Sequence, residues 1–187
     1  MKRKHFLQST ALSIGALSIS SLANALDTKS LIKESTSELS SKVIRNGEGK
    51  SQIVLGDNQT LKLTGDDTNG LYTVIEQYNN PGMEIPMHVH QDEDEVFHVL
   101  EGELEIQVGK EKTILQAGDL GFCPRGIPHS WKVVGDQKAK VMLSIFPSGL
   151  ERMFHEFAAL PAGPPDFKKV TAICKKYNIQ FSEERVL

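Results

Sequence analysis

The stretch from Gly82 to Gly102, GMEIPMHVHQDEDEVFHVLEG, contains the residues that decide the fold. His88 and His90 are two positions apart, so both imidazoles project from the same face of a β-strand. Glu95 begins a second apolar run after a polar turn. A later segment, GDLGFCPRGIPH, ends in a third imidazole, His129. Three imidazoles and one carboxylate suit a divalent transition metal, whereas a structural zinc site is typically closed and rich in cysteine.

These two segments match a pair of sequence motifs. Residues 82–102 follow the pattern G-x5-H-x-H-x4-E-x6-G, and residues 118–129 follow G-x5-P-x-G-x2-H. The chain therefore resembles the cupin family, whose members carry both motifs in this order. Val133 stands where the second motif often has an asparagine. That asparagine is not a metal ligand in the family, so the difference leaves the predicted site intact.

The resemblance implies an all-β fold, a cupin jelly-roll barrel of antiparallel strands with two short C-terminal helices. The segment from Gly149 to Phe181 also resembles single-domain cupins described as quercetin 2,3-dioxygenase-like. We expect a lead-in over residues 26–42, the barrel over 43–146 and a C-terminal helical extension over 147–187. The helices are expected to pack on the outside of the barrel or across a partner subunit.

The local patterns agree with that architecture. Short β-type runs are separated by turn residues, and helical spacing of apolar residues begins after Phe146. Asp166 is a predicted helix cap and Asn178 a predicted helix end. The predicted strands are Ser51–Leu55, Thr60–Leu63, Tyr72–Tyr78, Glu95–Glu101, Glu103–Val108, Lys112–Leu115, Leu120–Cys123, His129–Val134 and Ala139–Phe146. The predicted apolar stripes are Leu150, Met153, Phe154 and Phe157 on one helix, and Phe167, Val170, Cys174 and Tyr177 on the other.

The predicted metal ligands are His88, His90, Glu95 and His129. Buried imidazoles and a buried carboxylate without partners would be costly, and a bound cation removes that cost. We expect one divalent transition metal per chain, with manganese or iron favoured over nickel, zinc or copper if loading precedes export. The alternative is an inward polar cluster without metal.

Several nearby residues are assigned other roles. Alternation from Glu95 places Phe97 and Val99 inward and His98 outward, so His98 is not expected to be a ligand. The acidic residues 92–94 are expected to form a solvated turn, and the alternative is that one of them supplies a carboxylate other than Glu95. Trp131 shares a face with His129, which favours core packing and leaves lining of a pocket as the alternative. His155 receives no role.

The resemblance implies a dioxygenase acting on a small enolisable or phenolic compound at the 3-His/1-Glu centre. Glu95 would be both a ligand and a general base there. The alternatives are a non-enzymatic cupin that binds a small molecule or metal, and a metal-dependent isomerase or hydrolase. Fold and ligand set are shared among these classes, so the sequence does not separate them.

The first 25 residues are predicted to be an export signal. Lys2, Arg3 and Lys4 precede a short apolar run, and Ala23-Asn24-Ala25 is typical of a cleavage site. The run is too short and too rich in serine to span a bilayer comfortably. We therefore expect a periplasmic or secreted protein that begins at Leu26. The residues Arg3-Lys4 leave both the general and the twin-arginine route open.

Charge and cysteine content limit the partners. The signal holds three basic residues and no acid, so removing it changes the net charge from −3 to −6. An acidic chain without a basic cluster is not expected to bind nucleic acid. Cys123 and Cys174 are the only cysteines, and we favour two buried thiols over a disulfide. Because Val96, Leu100 and the helix stripes offer apolar surface, we expect a homodimer.

Overall fold

The computed structural model describes residues 39–161, 163–164 and 166–182. The predicted export signal and most of the lead-in lie outside the described residues. The strands are β1 Lys50–Val54, β2 Asp57–Leu63, β3 Thr73–Asn79, β4 Glu84–His90, β5 Asp94–Glu101, β6 Glu103–Val108, β7 Glu111–Gln116, β8 Leu120–Cys123, β9 His129–Val134, β10 Ala139–Phe146 and β11 Ile179–Phe181. The helices are α1 Gly65–Thr68, α2 Leu150–Ala158 and α3 Phe167–Lys176.

The strands form two antiparallel sheets. The six-stranded sheet has the order β1-β2-β3-β10-β5-β8, and the five-stranded sheet has the order β11-β4-β9-β6-β7. Side chains from both sheets and from α2 and α3 form one hydrophobic core. The all-β jelly roll with few short helices is therefore confirmed. No helix within the described residues is long and apolar enough to cross a membrane.

Period-two alternation decides which side chains enter the core. On β5, Glu95, Phe97 and Val99 are buried, while Val96 and His98 lie on the outer face and are only partly buried. The same alternation buries His129 and Trp131 on β9. The predicted faces of both strands are confirmed, and one face of each carries a residue of the predicted metal site.

The boundaries of the central strands agree best with the predictions. β6, β8, β9 and β10 have the predicted ends. β2 begins at Asp57 instead of Thr60, because its first three residues are polar and gave no strand signal. The helix α1 and the strand β11 were not predicted, since elements of four and three residues are too short to show a period.

The two predicted C-terminal helices are present, but one residue predicted to lie on a buried stripe is exposed. Asp166 caps α3 by accepting hydrogen bonds from the Lys168 and Lys169 amides. Asn178 follows that helix with a φ of 53°, as expected of a helix-end residue. Phe167 is 77% exposed, so its predicted place in the buried stripe is wrong. As the first residue of α3 it lies outside the turns that pack on the core, and Ile173 is buried instead.

Both cysteines are free and buried, as favoured by the sequence. Cys123 lies on β8 opposite Glu95 of β5, and Cys174 lies on α3. Burial raises the pKa of both thiols above the ordinary value, so they stay protonated at neutral pH. They behave as small apolar side chains of the core.

The carboxylate of Glu151 holds α2 against the barrel through hydrogen bonds. Glu151 Oε2 accepts hydrogen bonds from Thr73 Oγ1 (2.7 Å) and the Gly149 amide (2.8 Å), and Oε1 accepts from the Gly65 amide (3.1 Å). Burial alone would raise the pKa of this carboxyl group. The hydrogen bonds favour the charged form and outweigh burial, so the pKa is lowered from its ordinary value.

We expect Glu151→Gln to lower the free energy of unfolding at pH 7 by about 1 kcal/mol, because an amide accepts through only one atom. The carboxylate has a lower pKa folded than unfolded, so its contribution is full above about pH 4.5 and disappears as the pH falls through the folded pKa. Denaturant unfolding between pH 3 and 7 measures the difference between wild type and variant. Glu111→Gln on β7, an exposed position, is the control. A difference that does not shrink on acidification would contradict the assignment.

Candidate metal centre

Two facing sheets bring four buried side chains to one place. His88 and His90 come from β4 and His129 from β9, which are neighbours in the five-stranded sheet with His88 opposite His129. Glu95 comes from β5 in the six-stranded sheet. One ligand-type atom from each residue lies within 4.8 Å of all the others. The four predicted ligands are therefore assembled in a single cluster.

The three imidazole rings are oriented by acceptors on their outer side. His88 Nδ1 lies 2.8 Å from the Pro86 carbonyl oxygen, and His129 Nδ1 lies 3.3 Å from that of Ile127. An Nδ1–H that donates to a carbonyl leaves Nε2 with the lone pair. The Nε2 atom of His129 faces the cluster, where it donates to Glu95 Oε2 at 2.9 Å through a proton that a bound metal ion would displace. The backbone thus fixes the ring positions that metal ligation requires.

For His90, the carboxylate of Glu93 takes the place of a backbone carbonyl as the acceptor near Nδ1. Its Oε2 lies 3.6 Å from His90 Nδ1, and neither atom has a hydrogen-bond partner among the described residues. Glu93 is only 8% exposed, so the predicted solvated turn is wrong at this residue. A movement of a few tenths of an ångström completes a carboxylate–histidine pair of the kind found behind metal ligands. The spacing of three between His90 and Glu93 was the available sequence signal.

The two other acids of that run have different partners: Asp92 Oδ2 accepts from Asn178 Nδ2 at 2.7 Å, and Asp94 binds an arginine. Both oxygens of Asp94 accept from Arg125, at 3.1 Å from Nε and 2.8 Å from Nη2. This bidentate pair ties the start of β5 to the loop before β9. It holds the segment that carries Glu95 against the segment that leads to His129.

The electrostatics prepare the cluster for a cation. Burial, together with the neighbouring His129 and His90, lowers the pKa of His88 to about 3. Burial would raise the pKa of Glu95, but attraction to His90 and the hydrogen bond from His129 outweigh it and lower the value to about 2. Burial would lower the pKa of His90, but Glu95 and Glu93 raise it. Glu95 is therefore anionic. A proton on the imidazoles compensates its negative charge, and a bound metal ion would take the place of that proton.

The donor set fits a divalent transition metal. Nitrogen and oxygen ligands lie about 2.0–2.2 Å from such ions, so two ligands of one ion are at most about 4.4 Å apart. The largest separation here is 4.8 Å, and a contraction of a few tenths of an ångström reaches that limit. Four protein ligands leave one or two positions of a five- or six-coordinate ion open.

A cavity adjoins the cluster. The space in which the centre of a water molecule can sit is ≈ 60 Å³, and His88, His90 and Glu95 contribute to its wall. Trp131 lines the same cavity and also belongs to the core, so both interpretations of this residue hold. His98 on the outer face of β5 and the exposed His155 of α2 stay outside the cluster, as predicted.

The C-terminal helices are placed differently from the prediction. Met153, Phe154 and Phe157 of α2 line the cavity, together with Cys174 of α3. They pack on the barrel at the cavity and not on its outer surface. The sequence showed an apolar stripe on α2 but could not show which barrel surface the stripe covers.

Comparison with known proteins adds a family to this geometry. A family model described as "Cupin domain" matches residues 76–146, which include all four residues of the cluster. Residues 76–146 form a cupin domain. The chain is 33% identical over 108 residues to a protein of Bacillus subtilis named quercetin 2,3-dioxygenase. The match covers 58% of this chain but only 31% of that relative, so the chain spans about a third of its length.

Solved structures support the same fold. A predicted oxalate decarboxylase from Thermotoga maritima is similar with a TM-score of 0.53 and 20% identity, over 57% of this chain and 99% of that one. KdgF from Halomonas sp. is similar with a TM-score of 0.54 and 18% identity, over 60% and 99% of the two chains. At these identities the likeness concerns the fold alone.

We expect the purified protein to contain about one divalent ion per chain, held by the four-residue cluster. Replacing His88 and His90 together by Ala removes two of four ligands and should abolish binding, with the far-ultraviolet circular dichroism preserved. Metal analysis after desalting gives the stoichiometry. His98→Ala, on the outer face of the next strand, is the matched control and should keep its metal. Equal metal content in wild type and the double variant would rule out this cluster as the site.

Proposed function

We propose that this cupin is a metal-dependent dioxygenase acting on a small enolisable or phenolic compound. The observation that carries the proposal is a buried 3-His/1-Glu group, three of whose members line a cavity that is otherwise largely apolar. An enzyme that adds both atoms of dioxygen to its substrate needs no separate reductant. The similarity to quercetin 2,3-dioxygenase supports the reaction class, and the short overlap leaves the particular substrate open.

The chain's own residues have distinct parts in this proposal. His88, His90 and His129 would hold the ion, with their Nδ1 atoms turned to the acceptors on the outer side. Glu95 is anionic at neutral pH and lies at the cavity, so it is available as a ligand and as an acceptor for a substrate proton. The ion when bound supplies Lewis-acid activation and, if it is redox-active, one-electron chemistry toward dioxygen.

The apolar part of the wall has a physical role in that chemistry. Trp131, Phe154 and Phe157 give the cavity beside the centre an apolar wall. Once a substrate displaces the water, such a wall strengthens the interaction of a charged substrate with the ligands and excludes hydrolysis of reactive species. Manganese or iron would suit dioxygen chemistry, and both accept imidazole and carboxylate ligands.

We expect metal-loaded protein to consume dioxygen with at least one member of a panel of small diketones, 2-oxo acids and phenols. Glu95→Gln should lower kcat about 100-fold or more while KM changes much less, since an amide is a poor base. An oxygen electrode measures turnover, and metal analysis must show that the variant still holds its ion. Glu101→Gln, exposed at the end of the same strand, should leave turnover unchanged.

The absence of oxygen consumption with every compound of the panel would contradict the dioxygenase proposal. Metal-loaded protein that retains a small molecule but consumes no oxygen across the panel would favour the non-enzymatic cupin. Conversion of a panel member without oxygen uptake would favour the isomerase.

We further propose that the protein is a homodimer. The outer face at the β8 edge of the six-stranded sheet exposes Leu120 (63%) and Phe122 (59%), and these residues lie beside His98 and Val96 of β5. A contiguous apolar face on an edge strand suits a second copy of the chain, related by a two-fold axis. The helix stripes considered from the sequence are buried against the barrel and do not contribute.

We expect Phe122→Asp to shift the mass in solution from dimer to monomer, because it places a charge in the centre of the proposed contact. Multi-angle light scattering at micromolar concentration gives the mass. Phe167→Asp on α3, at another highly exposed phenylalanine, is the control and should stay dimeric. A monomeric wild type would remove the proposal.

A further inference from the structure

A second buried polar cluster contributes to the same cavity. Asp57 and Gln59 on β2 and Gln77 and Asn79 on β3 occupy inward positions of the six-stranded sheet, where core residues are usually apolar. Gln59 and Gln77 are paired across the two strands. Asp57, Gln59 and Gln77 line the cavity, as do His88, His90 and Glu95 of the metal centre. The cavity therefore has two polar regions in a largely apolar wall.

Asp57 organises this second cluster. Its Oδ2 accepts from Gln59 Nε2 (2.7 Å) and Gln77 Nε2 (2.6 Å), and its Oδ1 accepts from Asn79 Nδ2. Among the described residues Asp57 has no ion pair with a lysine or arginine, so three amide N–H groups carry the compensation of a buried carboxyl group. Burial raises the pKa of Asp57, against these hydrogen bonds, and the nearby Glu95 adds to the rise.

Gln77 is left with unused hydrogen-bonding capacity. Its Nε2 has two N–H groups, of which one is directed to Asp57. Its Oε1 accepts no hydrogen bond from the part of the chain that the structure describes, whereas Gln59 Oε1 accepts from Gln52. Gln77 is only 4% exposed, and it lines the cavity. A cluster with a purely structural role would have its buried groups paired within the protein. Gln77 instead presents a donor and an acceptor to the cavity.

The size of the cavity limits what can reach both polar regions. The centres of water-sized groups can occupy ≈ 60 Å³ of it, so it holds more than a single water molecule. A compact molecule of a few non-hydrogen atoms fits this space. A single group that uses both the free N–H and the oxygen of Gln77 has to accept and donate a hydrogen bond, as a hydroxyl group does.

We propose that Gln77, held in orientation by Asp57, binds a hydroxyl group at the end of the ligand remote from the metal centre. The ligand class is a compact enolisable carbonyl compound with a terminal hydroxyl group. This inference rests on the proposed function for the placement of the carbonyl end at the His/Glu centre. Gln77 is the recognition residue, and Asp57 is a positioning residue that acts through it.

Matched pairs of probes test this assignment by binding alone. Pyruvate, 2-oxobutanoate and 2-oxopentanoate are each compared with the ω-hydroxy compound of the same length, by calorimetry on manganese-loaded protein without oxygen. We expect the hydroxyl group to tighten Kd about 5-fold or more at one chain length, the size of one neutral hydrogen bond. In Gln77→Met that advantage should fall below about 2-fold, with binding of the unsubstituted acid little changed.

Two further variants separate recognition from a general packing effect. Gln107→Met makes the same replacement on β6 outside the cavity and should keep the full hydroxyl advantage. Asp57→Asn keeps the size of the side chain but removes one acceptor oxygen, so the advantage should fall although Gln77 is present. If thermal unfolding shows that Gln77→Met does not fold, Asp57→Asn provides the test of the hydroxyl advantage.

The outcomes are distinct from those of the oxygen experiment. A hydroxyl advantage that is the same in wild type and Gln77→Met overturns the inference, and so does the absence of any advantage or of any binding across the three lengths. A hydroxyl advantage that depends on Gln77, in a protein that consumes no oxygen, supports the inference while removing the dioxygenase. Oxygen uptake without a hydroxyl advantage supports the dioxygenase and overturns the inference about Gln77.

Discussion

The contact between Glu95 and His129 is the constraint on which the rest of the structure depends. It joins a buried carboxylate of one sheet to a buried imidazole of the other at 2.9 Å. A buried carboxylate is tolerated only where opposite charge and hydrogen bonds compensate it. His90, whose pKa is raised, supplies opposite charge, and His129 supplies a hydrogen bond. Backbone carbonyls and Glu93 in turn orient the rings. A cation is the compensation that this arrangement of donors favours most.

The sequence predicted this site well because its signals are local. Alternation along a strand decides that His88 shares a face with His90, and that Phe97 and Val99 follow Glu95 inward. That β4 and β9 lie side by side is a tertiary fact that the sequence did not show, although the cupin resemblance grouped their histidines in one ligand set. The elements that were missed carry no period of their own, as with α1 and β11, or lie in polar runs, as with the start of β2. Glu93 was assigned to solvent because its neighbours are acids, yet the chain turns it inward to His90.

Polar residues at inward positions also explain why one cavity has two polar regions in its wall. Asp57, Gln59 and Gln77 follow the same alternation as the apolar residues of their strands, so a strict reading of period two would have placed them inside. They are stable there because Asp57 accepts hydrogen bonds from the side-chain amides of Gln59 and Gln77. Burial of such a cluster stabilises the fold less than apolar side chains of the same volume would. Its presence in a cavity wall is therefore better explained by recognition than by stability.

The C-terminal extension has to be considered part of the site. The family model matches only as far as residue 146, but the cavity wall continues into α2, α3 and β11. β11 pairs with β4, placing Ile179 opposite His90 and Phe181 opposite His88. This pairing makes the ligand strand an internal strand of its sheet, so its backbone is hydrogen-bonded on both sides and its two histidines are held in register. The barrel supplies the donors of the metal centre, and the extension sets the rigidity of β4 and the size of what can approach it.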